Sequence, residues 1–263
     1  MMANDLVTAL ILASIAGYGL CFVVLLCGQK RSAIPFGIFA WAANLAVFVM
    51  NWVHVGHPPF GNMYQVQVVL GLCFLPLFLL LWKRGDLGWL APHFTMASCL
   101  PMIGTLFMER DLGWRRMPAL QSPWFVPHVF GYMVSYALLT VAFVTLVSGL
   151  FRRWYRADAT MLERSRKAIY AITRLAFPLL TFGLLSGALW AEEAWGTYWS
   201  WDPKETWSLI TWTLYLIYFH ARFSPRTRRF EVAAHLLAFA ALVATFILVN
   251  LLPKFAGGMH SYS

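Results

Sequence analysis

Eight predominantly apolar segments succeed one another along this chain, at about residues 5–27, 33–54, 63–82, 88–108, 123–151, 168–191, 204–222 and 231–251, with short polar breaks between them. A helix that crosses a bilayer needs about 20 mainly apolar residues, and each segment is close to that length. The pattern predicts an all-α, polytopic integral membrane bundle in which every backbone polar group is satisfied within its own helix. Pro76, Pro101 and Pro178 fall inside apolar runs and are expected to kink them. The first segment carries Asp5 ahead of its apolar run, with no basic leader and no small-residue cleavage site, and reads as a retained helix. Two connections are longer than the rest. Residues 109–122 join the fourth and fifth segments, and the basic stretch 152–167 reads as an amphipathic surface segment between the fifth and sixth. With no soluble domain, low-complexity tract or clear repeat, residues 1–263 are expected to form a single membrane domain.

Composition and charge sharpen this picture. Of 263 residues, 60% are hydrophobic and 12% charged, which excludes an ordinary soluble domain. Lys30, Arg31, Lys83, Arg84, the basic residues of 152–167, and Arg222, Arg226, Arg228 and Arg229 all fall on one set of alternate connections. The other set holds only Arg110, Arg115, Arg116, Lys204 and Lys254. Cytoplasmic loops accumulate lysine and arginine, so both termini are expected on the outer, periplasmic or lumenal side. The net charge of +9 is then a matter of topology, with an anionic lipid surface as partner and no role for nucleic acid. Cys21, Cys27, Cys73 and Cys99 lie inside apolar segments without Cys-x-x-Cys spacing, which speaks for small core residues rather than redox or zinc chemistry.

Candidate chemistry concentrates in one stretch. Trp195-Gly-Thr-Tyr-Trp-Ser-Trp-Asp-Pro-Lys-Glu-Thr-Trp207 packs four tryptophans, a tyrosine and three charged residues into thirteen positions between two apolar segments. Indole rings offer broad faces at low rotamer cost, and Asp202, Lys204 and Glu205 can orient a partly charged molecule on them. A large flat aromatic ligand suits such a loop; an interfacial aromatic belt is the alternative. Asp202-Pro203 is expected to end the loop and open the seventh helix.

The histidines sort by side. His54, His57, His128 and His260 fall at the level of the tryptophan loop, whereas His93, His220 and His235 lie toward the opposite helix ends. A flat aromatic ligand that also takes two imidazoles is haem, and His128 and His260, one before and one after the loop, can approach it from opposite faces. An interfacial histidine bonded to backbone or water is the plain reading of any one of them. Gly257-Gly258 would let a terminal arm fold back toward a ligand, or form a flexible tail.

The run from Trp190 to Trp212 resembles the tryptophan-rich WWD signature of the haem-handling superfamily, and its Asp-Pro-Lys-Glu-Thr-Trp ending resembles the CcsA (ResC) branch of System II cytochrome c biogenesis. Gly56-His-Pro-Pro-Phe-Gly-Asn-Met-Tyr64 and Gly257-Gly-Met-His-Ser-Tyr262 are similar to two further motifs of that family, although Gln65 stands where its members often have Glu. The resemblance implies haem b as substrate, carried to the outer face and attached to the Cys-x-x-Cys-His motif of apocytochrome c by a haem lyase activity. It implies His128 and His260 as outer axial ligands and His220 as a ligand within the membrane. Trp195, Trp199, Trp201, Asp202 and Lys204, in a loop spanning about 190–207, would hold the porphyrin, and His57 matches a family histidine of underived role. Arg115, Arg116, Lys204 and Lys254 are candidates for the propionates. It implies a companion, CcsB (ResB), to complete the His220 site, an outer-side thiol reductant, and a bacterial inner membrane or a thylakoid as location. The competing readings are a haem delivery protein like CcmC of System I, a haem transporter without attachment activity, and a structural subunit whose tryptophans form only a belt.

Overall fold

The computed structural model describes residues 2–84, 87–110, 118–154 and 159–248. The apolar segments are helices, as a chain in lipid must be to satisfy its own backbone, and contacts among them divide the chain into two compact units, residues 1–116 and 117–263. Four α-helices fall in each unit among the described residues.

The first unit contains α1 (Met2–Leu26), α2 (Lys30–Val55), α3 (Met63–Arg84) and α4 (Ala91–Gly104). α1 and α2 pack closely because small residues face each other: a Cβ on Gly17 would lie 2.9 Å from that of Ala40, and Ser14 Oγ donates to the Ala40 carbonyl at 2.9 Å. α2 stops at Gly56, whose φ of 72° only glycine adopts cheaply and whose N–H closes on the Trp52 carbonyl.

The second unit contains α5 (Phe125–Trp154), α6 (Ala159–Trp195), α7 (Pro203–Phe223) and α8 (Glu231–Val243), the last continuing as a π turn over Ala244–Leu248. Three expectations change here. The basic stretch 152–167 is largely helical among the described residues: α5 runs on to Trp154 and α6 already begins at Ala159. Polar residues ended the apolar run, but nothing in them breaks a helix, so the helices outlast their lipid-compatible parts. At its other end α6 continues to Trp195, which reduces the non-helical part of the tryptophan loop to residues 196–202. Finally, seven described helices are long and apolar enough to cross a membrane, and α7 is not among them. Its buried face instead carries Glu205, Ser208, Thr211, Tyr215 and Tyr218, so protein neighbours shield what lipid would not. Pro76, Pro101 and Pro178 all lie inside continuous helices. The chain is a polytopic helical membrane protein.

Candidate functional site

His128 stands in the first turn of α5, and its position is set by two glycines of α6. Gly183-Leu-Leu-Ser-Gly187 is a small-xxx-small pair of the kind that lets helices approach closely. Rings, rather than a backbone, fill the space these glycines leave. A Cβ on Gly187 would come within 2.5 Å of His128 Cε1, and one on Gly183 within 2.8 Å of the Tyr132 ring. His128 Nδ1 lies 2.8 Å from the Gly183 carbonyl, which can only accept. Nδ1 therefore carries a proton, which in the neutral ring leaves the lone pair on Nε2, the tautomer through which an imidazole binds a metal.

An aromatic ladder extends from this histidine. The ring of Tyr132 meets it edge-on at 5.0 Å, and that of Trp190 stacks with it at 5.6 Å with planes 25° apart. Trp190 in turn packs on Trp195 at 4.9 Å and on Phe125 at 5.3 Å. It is almost fully buried and its Nε1 donates to the Ala119 carbonyl at 2.6 Å. Ser122 Oγ donates to Glu193 Oε2 at 2.6 Å, which ties the start of α5 to the end of α6. The helix ends that carry His128 and the tryptophan loop are thereby held together.

The loop is shaped by carboxylates that it encloses. Asp202 caps α7, its Oδ1 accepting from the Glu205 N–H at 2.8 Å. Glu205 reaches back to complete the capping box: its Oε2 accepts from Ser200 N at 2.8 Å, Ser200 Oγ at 3.2 Å and Asp202 N at 3.3 Å. Pro203 takes the first helical position, as expected from the Asp-Pro pair. Between these anchors Trp201 adopts a φ of 62°, the one positive value outside glycine among the described residues. A bulky side chain in the left-handed region stores about 1–3 kcal/mol of strain, which persists only where the surroundings enforce it. The result is an indole 68% exposed, set edge-on to Trp199 at 5.8 Å.

Glu205→Ala removes the acceptor of three loop donors and is expected to cost about 2 kcal/mol locally, because hydrogen bonds to a charged group are the stronger kind. Faster proteolysis within residues 196–202 and altered tryptophan emission would show Trp201 released from its strained pose, while unchanged cleavage would count against a loop held by this carboxylate.

The sequence-predicted residues are distributed as follows. His128 and Trp195 join through Trp190, with Trp199, Trp201, Asp202 and Lys204 in the following loop and first turn of α7. His220 does not join them: it is exposed in the last turn of α7, about 26 Å along the axis from Pro203. His57 belongs to the first unit, where Nδ1 approaches the Pro58 carbonyl at 3.1 Å. His260, Arg115, Arg116 and Lys254 lie outside the described residues. Sequence reasoning missed Gly183 and Gly187, which seat the His128 and Tyr132 rings, and the structural parts that Trp190 and Glu205 play in the site. The glycine spacing and the Asp-x-x-Glu capping pattern were the available signals.

The residues present suit haem on the chemistry of the donor set. One imidazole is held in the tautomer that ligates through Nε2, and broad indole faces lie on the same helix ends.

The family model described as Cytochrome C assembly protein matches residues 33–256 of the chain. "Cytochrome c biogenesis protein CcsA" of Chlamydomonas reinhardtii is 36% identical over 251 residues, covering 89% of this chain and 69% of the relative. The protein of the same name from Mesostigma viride is 32% identical, with 87% and 84% covered. That of Parasynechococcus marenigrum (strain WH8102) is also 32% identical, with 98% and 96% covered.

Proposed function

From a chain that belongs to the CcsA family of cytochrome c assembly proteins, we propose a haem lyase: it holds haem at the outer membrane face and, with CcsB, attaches it to apocytochrome c. The observation that carries this reading is the His128 imidazole, oriented by the Gly183 carbonyl and stacked on Trp190 beside the tryptophan loop. His128 would hold the iron from one face and His260 from the other. Trp195, Trp199 and Trp201 would support the porphyrin, with Lys204 near a propionate.

Attachment adds a cysteine thiol of the substrate's Cys-x-x-Cys-His motif across a haem vinyl group. The sulfur bonds to one vinyl carbon and the proton goes to the other, so no net electrons are consumed once haem is ferrous and the thiols are reduced. What the chain's residues supply is position: they fix the ring, keep its edge accessible and release one axial place to the substrate histidine. The outer thiol reductant keeps the substrate competent. His220, exposed on α7 and remote from the loop, fits a second haem position whose other ligand comes from CcsB.

The test is the reduced-state absorption spectrum of the protein in mild detergent. A low-spin, two-imidazole spectrum that turns high-spin in His128→Ala, and returns with added imidazole, is the expected result. An unchanged spectrum in the variant would move haem to other ligands and refute the site. A parallel variant reads the floor of the site: Gly187→Ala places a methyl within van der Waals overlap of the imidazole and is expected to lower haem occupancy severalfold. Normal occupancy in that variant would mean that the close approach is not required.

A further inference from the structure

The buried stripe of α2 carries two asparagines, Asn44 and Asn51, which are 0% and 1% exposed. Seven residues place them about 10 Å apart along the helix, on the face that also presents Ala40 and Val47. Neither the amide oxygen nor the amide nitrogen of either side chain has a hydrogen-bond partner. The same is true of Gln65 Nε2 at the start of α3.

These groups all belong to the first unit. The Asn44 amide lies against the bare α-carbon of Gly71, where an added Cβ would stand 2.6 Å from Nδ2 and 3.1 Å from the Met102 sulfur. Met102, Val47, Tyr18 and Tyr64 share one core cluster. The Tyr64 hydroxyl sits beside the Asn51 amide yet outside hydrogen-bonding geometry. Arg110 flanks Tyr64, with its guanidinium 5.8 Å from the ring centroid and Nη1 donating to Thr8 Oγ1 at 2.6 Å.

A buried polar group without a partner costs about 1–3 kcal/mol, and several in one helix group at membrane depth call for an occupant. The chemistry of the set selects it. The set holds both amide oxygens and amide or hydroxyl donors, so an anion would satisfy only the donors and a cation only the acceptors. Water does both, and buried water settles where two to four polar partners converge. We propose that the first unit binds a short file of internal water between Asn44, Asn51 and Tyr64. This hydrated recess is independent of the haem site.

The test is brief X-ray radiolysis of the full-length protein in lipid nanodiscs, with each residue's labelling rate divided by its rate in the denatured chain. Tyr18, Tyr64 and Met102 are at most 3% exposed, as are Phe74 and Leu81 of the same unit. Water bound beside the first three should label them about tenfold faster than the last two, since the radical forms in place. Asn51→Leu is expected to bring Tyr64 down to the Phe74 rate, and Asn51→Gln to preserve its labelling. Equal protection of Tyr64, Met102 and Phe74 in the wild-type protein overturns the proposal. Rapid labelling of all five residues overturns it as well, because it would report a loosened core rather than a bound file.

Discussion

Replacing His128 and His260 together by alanine is expected to reduce holocytochrome c formation by at least about a hundredfold while the protein still inserts and accumulates. In the proposed site, losing both axial groups would leave haem held only by indole faces and Lys204, and positioning that is worth several powers of ten in an oriented reaction would be lost with them. The measurement is covalent haem on a reporter cytochrome in cells that depend on this protein and CcsB for maturation, normalised to protein in the membrane. Full activity of the double variant would remove the ligand assignment. The single His128→Ala variant should be partly rescued by exogenous imidazole, because the Gly187 surface that its ring covers would then admit a small base. Rescue of that kind separates lost ligation from lost folding.

The second large effect concerns stability at the opposite end of the second unit. Glu231, at the start of α8, is buried, and its carboxylate pairs with Arg166 of α6 and Arg222 of α7. Arg166 Nε donates to Oε1 at 2.6 Å and Arg222 Nη1 to Oε2 at 3.3 Å. Three helices are therefore joined through one acidic group. Glu231→Ala leaves Arg222, only 16% exposed, without its counter-charge, and breaking a buried pair in this one-sided way costs about 3–5 kcal/mol. Arg166 is more open to solvent, which places the expected loss near the lower figure. Thermal inactivation of the purified protein in detergent should shift down by several degrees and its yield should fall, with the per-molecule haem spectrum unchanged. A stable Glu231→Ala protein would show that the arginines are solvated in the assembled membrane.

Much of this architecture was readable from hydropathy, and the exceptions have physical reasons. Apolar runs report compatibility with lipid, so they located all eight helices but stopped at 168 on α6, where Arg164, Arg166 and Lys167 begin; a helix needs only an unbroken backbone and continues to Ala159. At the loop, Trp190 opened the tryptophan-rich run without a role of its own, and the structure makes it a buried strut between His128 and Trp195. Asp202 and Glu205 looked like charges for a ligand. Their three-residue spacing is that of a capping box, and the structure uses both to build the loop. The reach of His128 to Gly183 could not be read from sequence at all, since it depends on how α5 and α6 meet across 55 positions.

The polarity of α7 has a consequence for how the protein is made. A segment that begins Pro-Lys-Glu-Thr and carries its hydroxyls and a carboxylate on one face gains little by partitioning into lipid alone. It must leave the translocon with a neighbour that covers that face, and α8 and the long α6 are the available escorts in chain order. Residues 196–202 bridge α6 and α7, so their final shape waits until these helices have paired within the bilayer. Synthesis of residues 196–202 and the setting of their final shape are therefore separate events, the second following the pairing of α6 with α7.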